Sequence, residues 1–490
     1  MIALTLAELA EAVAGQLHLP RTECGERTDL RQHADQQDCS GTVTTASTTV
    51  DGEVTTDSRE VTPGGIFVAK PGECDDGHRF APDAAAAGAA LLIVERLLDL
   101  PLPQIVVTDS VVALGAFAAE VVRRVRARGR LRVIGVTGSN GKTTTKNLLR
   151  DILCEVGPTV AARKSFNNEV GVPLTMLEVT WETEFLVLEM GASRTGDIAR
   201  LIRLVIPDIG IVLKVGLAHA GEFGGIEQTV RAKAEMVTDL CASGSAVLNG
   251  DDPRVAAMAE LTPARVVQFG LGNGTDVRAT DVTVHPRGTD FTLTVAGEAG
   301  VRVRFGVLGE HHIMNALAAT AAARCLEVPI AIIVAALERV TLAERWRMQV
   351  LGGRGNITII NDAYNASPDS MLAALKTLAQ IRHPEGRAIA VLGEMSELGE
   401  YAEEEHDQIG LLAVRLNIAQ LVVVGHSARR VHLSAIKEGS WDGESHFVET
   451  SAAALSFLRD SLQDHDTVLV KSSNSAGLRF LGDELGEWLS

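Results

Sequence analysis

Gly138-Ser139-Asn140-Gly141-Lys142-Thr143-Thr144 stands between an apolar run, Val133 to Val136, and a stretch that carries Leu148, Leu149, Ile152 and Leu153 on one helical face. Strand, glycine-rich turn and helix in that order commit this part of the chain to an α/β architecture with a phosphate loop. Such a turn bends successive backbone N–H groups around an anion, and the helix start adds its dipole. Lys142 adds charge, and the Thr143 hydroxyl can reach Mg²⁺. The phosphates of ATP are the expected ligand of all seven residues. The strict G-x-x-x-x-G-K-[ST] spacing asks for glycine at 136, where Val136 stands with Gly135 and Gly138 on either side, so the loop is a variant. An ordinary glycine-rich turn is the plain alternative; the flanking strand and helix favour nucleotide binding.

The loop is one part of a long chain. At roughly 100 to 200 residues per domain, 490 residues predict about three domains. Short apolar runs at Ile66 to Ala69, Leu91 to Val94 and Ile105 to Val107, with an Ala-rich helix at Ala84 to Ala90, predict a small α/β domain over 1–129. Thr5-Leu6-Ala7-Glu8 reads as a capping box opening a first helix. Residues 21–50, rich in Thr, Asp, Gln and Ser, read as a loop or hairpin insertion without an assigned role. Runs at Val133 to Val136, Phe185 to Leu188, Ile209 to Val215 and Ala246 to Leu248 predict a doubly wound, mostly parallel central sheet over 130–344. Runs at Ile357 to Ile360, Ala388 to Leu392, Leu421 to Val424 and Val468 to Val470 predict a Rossmann-like third domain over 345–490.

Charge narrows the function classes. With 45 basic and 63 acidic residues the net charge is −18, which repels phosphate backbones and argues against nucleic-acid binding. No apolar run reaches the ~18 residues of a membrane span, no signal peptide opens the chain, and six scattered cysteines form no zinc or disulfide pattern. A cytoplasmic protein is expected, with small-molecule substrates, as a monomer.

Glu189 closes the strand Phe185 to Leu188 on the sheet edge that also carries the loop, and is a candidate Mg²⁺ ligand. His219 follows the next strand on that edge, where a neutral imidazole can take a second metal and a hydrogen-bonded loop histidine is the plain reading. Lys233 reads as a solvated helix lysine on the residues alone. His311 and Asn315 are four apart, on one face if the helix starts by His311, and capping or core packing explains them equally well. Asp362 ends the first strand of the third domain, where a carboxylate commonly meets a ribose. Arg345 lies between two sheets, able to reach a phosphate or to pair with an acid.

Together these motifs resemble the Mur ligases over most of the chain. Thr56-Asp57-Ser58-Arg59 and Asp76-Gly77-His78-Arg79-Phe80 resemble the family's UDP-binding domain. Phe166-Asn167-Asn168-Glu169, Leu188-Glu189-Met190-Gly191 and Ala232-Lys233-Ala234-Glu235 resemble its central domain. Asp362-Ala363-Tyr364-Asn365 and Gly393-Glu394-Met395-Ser396 resemble its third. The resemblance implies ATP-dependent ligation of D-alanyl-D-alanine to a UDP-N-acetylmuramoyl-tripeptide through an acyl phosphate, in peptidoglycan precursor synthesis. It implies that Lys142 binds the ATP phosphates, and that Thr143, Glu189, His219 and a carbamylated Lys233 hold two Mg²⁺ ions. It assigns His311 and Asn315 to the adenine side, Asp362 to the ribose, Arg345 to a phosphate, and Ser58, Arg59, Asn167 and Asn168 to the UDP-peptide substrate.

Two departures stand out: the long 21–50 segment, and Lys471-Ser472-Ser473-Asn474-Ser475 in place of a usual Lys-Gly-Ser-Arg. The member that adds a single third amino acid would show Asp-Tyr-Ala-His where this chain has Asp362-Ala363-Tyr364-Asn365. It would also carry an Asp-Asn-Pro-Arg motif in its third domain. A folate-polyglutamate ligase would lack the first domain. From another class, a nucleotide-dependent switch or binding protein shares the phosphate loop, but a GTPase would carry Asn-Lys-x-Asp after a strand, and none is evident.

Overall fold

The structure, a computed structural model, describes residues 1–20, 44–72, 75–162, 165–216, 225–342, 344–438 and 444–490. Its residues form two compact units, Met1–Arg132 with Phe166–Leu186, and Val133–Ser165 with Val187–Ser490.

In the first unit Thr5 caps the helix Leu6–Ala12 by the expected reciprocal bonds with Glu8. A five-stranded sheet runs Gln16–His18, Gln104–Val106, Leu91–Val94, Ile66–Val68, Val54–Thr55, with the first strand antiparallel and the others parallel. Phe67, Leu92 and Val94 pack on Ala81 and Ala84. The Ala-rich helix spans Ala81–Ala86 rather than 84–90, because Pro82 favours a helix start and Gly88, at φ 92°, ends it. Of the 21–50 segment, 21–43 lies outside the described residues. Its end is a strand: Thr49–Val50 pairs antiparallel with Leu4–Thr5.

The second unit holds two further sheets. The strand Arg132–Thr137 lies between Ile209–Val212 and Phe185–Glu189, and beyond Ile209–Val212 follow Ser245–Asn249 and Arg265–Gly270. These short, continuously apolar strands are buried along almost their whole length, as parallel strands covered on both faces must be. The predicted run 209–215 stops pairing at Val212. Beyond it the chain peels away to wrap the phosphate loop, and the Lys214 carbonyl accepts from the Ser139 amide at 2.8 Å. Three strands absent from the sequence reading, Val277–His285, Gly288–Val295 and Val301–Phe305, extend the sheet with two antiparallel pairings.

The third domain's sheet runs Gln349–Leu351, Thr358–Asn361, Thr467–Lys471, Ala388–Leu392, Gln420–Val424, Ser445–Val448. It is parallel apart from its first strand. Apolar clusters cover both faces, one around Leu375, Leu392 and Leu421, the other around Val391, Val468 and Leu481. This is the Rossmann-like reading, and it brings the ends of Thr358–Asn361 and Thr467–Lys471 side by side, where doubly wound sheets bind ligands.

Candidate active site

The phosphate loop leaves the strand Arg132–Thr137 and enters the helix Lys142–Leu153 through Gly141, whose φ of 86° is left-handed. Glycine is needed there twice over, because a Cβ would also run into Asn315 Oδ1. Asn315 comes this close because its helix, Glu310–Cys325, packs against Lys142–Leu153 through a buried row of alanines. No side chain caps the helix start at Gly141, so its first N–H groups face the loop as an anion site would require.

Lys142 Nζ donates to the Gly138 carbonyl at 2.7 Å, folded over its own loop, and burial pushes its ammonium below the usual lysine range. Ser139 Oγ accepts from the Gly216 amide at 2.9 Å and pins the loop. Thr143 Oγ1 donates to Glu189 Oε2 at 2.9 Å and lies 3.0 Å from Ser165 Oγ. Glu189 and Thr144 are each 1% exposed.

Four buried N–H or ring-nitrogen groups here have no hydrogen-bond partner among the described residues: Asn140 Nδ2, His311 Nδ1, His312 Nε2 and Arg347 Nε. Buried polar groups are rarely left so, and their gathering at the loop, the helix behind it and the facing domain fits a polar ligand such as a nucleotide. Burial lowers His311 to about 4, so its imidazole stays neutral near pH 7, and His312 is pushed down the same way. Asn315 Nδ2 lies 3.4 Å from His312 Nδ1, and its Oδ1 accepts from Thr145.

Lys233 is not solvated. It sits on the helix Ile226–Thr238 at 2% exposure, and burial together with the Lys142 charge pulls it down to about 7. Two residues on, Glu235 accepts from the Gly196 and Ala199 amides at 2.6 and 2.9 Å, which ties this helix to the segment that follows Glu189. His219 lies outside the described residues.

From the third domain Asp362 reaches the site half-committed. Its Oδ2 accepts from Lys471 Nζ at 2.6 Å and its Oδ1 from the Met348 amide at 3.0 Å, leaving lone pairs for a ribose hydroxyl. Arg345 takes the acid-pairing alternative: it is 2.9 Å from Asp483 Oδ2 and stacks over Trp346. The arginine that reaches the loop is Arg347, which sequence reasoning missed. Its Nη2 is 3.5 Å from Thr143 Oγ1, and its guanidinium lies 4.6 Å over the Tyr364 ring. Tyr364 Oη donates to Ser165, Ser367 to Asn140, and Lys214 pairs with Asp369 at 2.8 Å, so third-domain residues touch the loop at several points.

In the first unit Asp57 caps the short turn Ser58–Glu60 and holds the exposed Arg59 guanidinium by two bonds, 2.9 and 2.6 Å. Asn168 Oδ1 accepts from the Gly171 amide at 2.9 Å at the start of the helix Gly171–Met176, and Asn167 precedes it.

A phosphate loop, a buried carboxylate on its threonine and a second sheet closing on it define a nucleotide-dependent enzyme of the three-domain α/β type. Residues 52–131, 136–323 and 346–474 match, in turn, the families described as Mur ligase family, catalytic domain; Mur ligase middle domain; and Mur ligase, glutamate ligase domain. The chain belongs to the Mur ligase family. It is 43% identical over 523 aligned positions to the UDP-N-acetylmuramoyl-tripeptide–D-alanyl-D-alanine ligase of Mycobacterium tuberculosis, covering 99% of this chain and 98% of that one. A crystal structure of MurF from Acinetobacter baumannii superposes with a TM-score of 0.85 at 32% identity, covering 99% of both chains. MurF ligase from Thermotoga maritima in complex with ADP gives 0.77 at 27% identity, covering 89% of this chain and 97% of that one. Among the described residues no helix is long and apolar enough to cross a membrane.

Proposed function

We infer that this chain joins D-alanyl-D-alanine to UDP-N-acetylmuramoyl-tripeptide at the expense of ATP, giving the UDP-muramoyl-pentapeptide, ADP and phosphate. The observation that carries the reading is the 43% identity to a ligase of that name along 99% of the chain. The geometry of the loop supplies its chemistry.

A carboxylate resists attack by an amine because its charge repels the nucleophile and oxide is a poor leaving group. Transfer of the γ-phosphoryl group to the tripeptide's terminal carboxylate removes both obstacles. The amine of the dipeptide then attacks the acyl phosphate, and phosphate leaves from the tetrahedral species as the amide forms. The loop N–H groups and Lys142 hold the phosphates of ATP. Arg347, reaching from the third domain, adds charge where the γ-phosphate emerges, a role the sequence reading gave to Arg345. His311 and Asn315 serve the adenine side and Asp362 the ribose. Ser58, Arg59, Asn167 and Asn168 serve the UDP-peptide.

Thr143 and Glu189 present hard oxygen donors 2.9 Å apart, a donor set that suits Mg²⁺. His219 and Lys233 complete the proposed metal ligands. A lysine held near 7 is substantially neutral at cytoplasmic pH, the form that reacts with CO₂, so Lys233 fits carbamylation into an anionic oxygen ligand. Bound Mg²⁺ would offset the charge that gathers on the phosphates during transfer. We place domain boundaries at 1–129, 130–344 and 345–490, and the protein in the cytoplasm as a monomer that binds no nucleic acid.

Phosphate release measured with the UDP-tripeptide and a panel of amine substrates tests the reading. Turnover with D-alanyl-D-alanine and none with single amino acids is expected. Efficient addition of a free diamino acid to a UDP-dipeptide would contradict it.

A further inference from the structure

We propose that Arg479 binds the free carboxylate of the incoming dipeptide and thereby makes the enzyme select an amine substrate that ends in an anion. The inference rests on the reaction inferred above and adds the group that recognises its second substrate. Only the dipeptide's amine reacts; its far carboxylate stays charged throughout, and a charge taken from water needs a partner.

The strands Thr358–Asn361, Thr467–Lys471 and Ala388–Leu392 end at one sheet edge, the usual place for a ligand crevice. The cation there, Lys471, is committed to Asp362 at 2.6 Å. The loop that follows carries Asn474 where the family pattern places arginine, so its own cation is missing. Arg479, at the start of the helix Leu478–Trp488, restores one: its Nη1 donates to the Asn474 carbonyl at 2.6 Å, which brings the guanidinium back to the same loop.

That guanidinium has one hydrogen bond, to a neutral carbonyl, and its charge is left for a ligand. Among the described residues Arg479 forms no ion pair, and Asp483, one helical turn on, is taken by Arg345 and by Trp346 Nε1, both at 2.9 Å. It is also held in place, 4.4 Å from the Phe480 ring centroid and 5.5 Å from that of Trp346. Trp346 stacks on Tyr364 at 6.5 Å, and the Tyr364 hydroxyl reaches Ser165, the neighbour of Thr143. An aromatic row therefore leads from the phosphate loop to Arg479. It offers a dipeptide an apolar wall for its methyl groups and a planar fork for its carboxylate.

The test compares D-alanyl-D-alanine with its C-terminal amide, using the full chain and the variants Arg479→Gln and Asn474→Asp. The first removes the charge but keeps a donor for the Asn474 carbonyl; the second adds a negative charge on the residue whose carbonyl holds the guanidinium. The wild type is expected to favour the acid over the amide. Either variant should raise KM for the acid by about 30-fold, the scale of a lost charge-assisted pair, with KM for ATP and for the amide unchanged. An unchanged KM for the acid in both variants, or equal rises for acid and amide, would overturn the proposal. Wild-type turnover without any preference for the acid sinks the role of Arg479 alone, whereas no wild-type product from D-alanyl-D-alanine sinks the reaction reading itself.

Discussion

Lys142→Ala is expected to lower turnover by roughly 10³-fold or more while the protein still folds, because its ammonium is the charge placed over the loop that holds the ATP phosphates. In the structure Nζ rests on the Gly138 carbonyl at 2.7 Å, so it needs only a small swing to leave that carbonyl for a phosphate oxygen. The rest of the loop is held independently, by Ser139 on Gly216 and by Gly141 against Asn315, so the cradle survives the truncation. Phosphate release checks the first part of this expectation and the thermal unfolding midpoint the second. A variant as active as the wild type would remove the loop from the chemistry.

Lys233→Ala is expected to cost at least about 10²-fold in turnover, with part of the loss restored by formate or acetate, which can refill a missing carboxylate position. The pH dependence follows from the lysine's lowered value. Burial and Lys142 bring it from 10.5 to about 7, so above that pH the amine is neutral and open to CO₂, and below it the ammonium is closed to it. At one fixed level of dissolved CO₂, activation relative to CO₂-depleted buffer should therefore strengthen as pH rises through 7 and fade below it. A wild-type rate indifferent to bicarbonate depletion, with no rescue of the variant, would leave Lys233 a buried structural lysine.

What the sequence disclosed depended on how each element is buried. Two-sided strands such as Ala388–Leu392 are unbroken apolar runs and are read at sight. The strands Gly288–Val295 and Val301–Phe305 face solvent on one side, and their alternation, as in Val301-Arg302-Val303-Arg304-Phe305, dilutes hydrophobicity below what a search for apolar runs detects. A period-two count would have found them. The phosphate loop was legible because its chemistry is local: one strand, one turn, one helix.

Arg347 was not legible, since the choice between it and Arg345 depends on the path of the backbone. Trp346 and Met348 both adopt left-handed φ, 60° and 48°, in a segment where the strand rule of alternating sides does not hold. Bulky residues keep that conformation only when neighbours fix it. Here the Tyr364 amide donates to the Trp346 carbonyl and the Met348 amide to Asp362. Those partners lie eighteen and fourteen residues away, beyond what local spacing reports. Lys233 shows the same limit from the other side: a helical lysine reads as solvated until packing makes it 2% exposed.

The measurement that bears most directly on the account is the fate of oxygen-18 placed in the terminal carboxylate of the UDP-tripeptide, with ATP and D-alanyl-D-alanine present. Formation of an acyl phosphate transfers one carboxylate oxygen to phosphorus, so the account predicts one labelled oxygen in the released phosphate for each amide bond made. Phosphate free of label, with the label retained in the peptide product or lost to water, would contradict it.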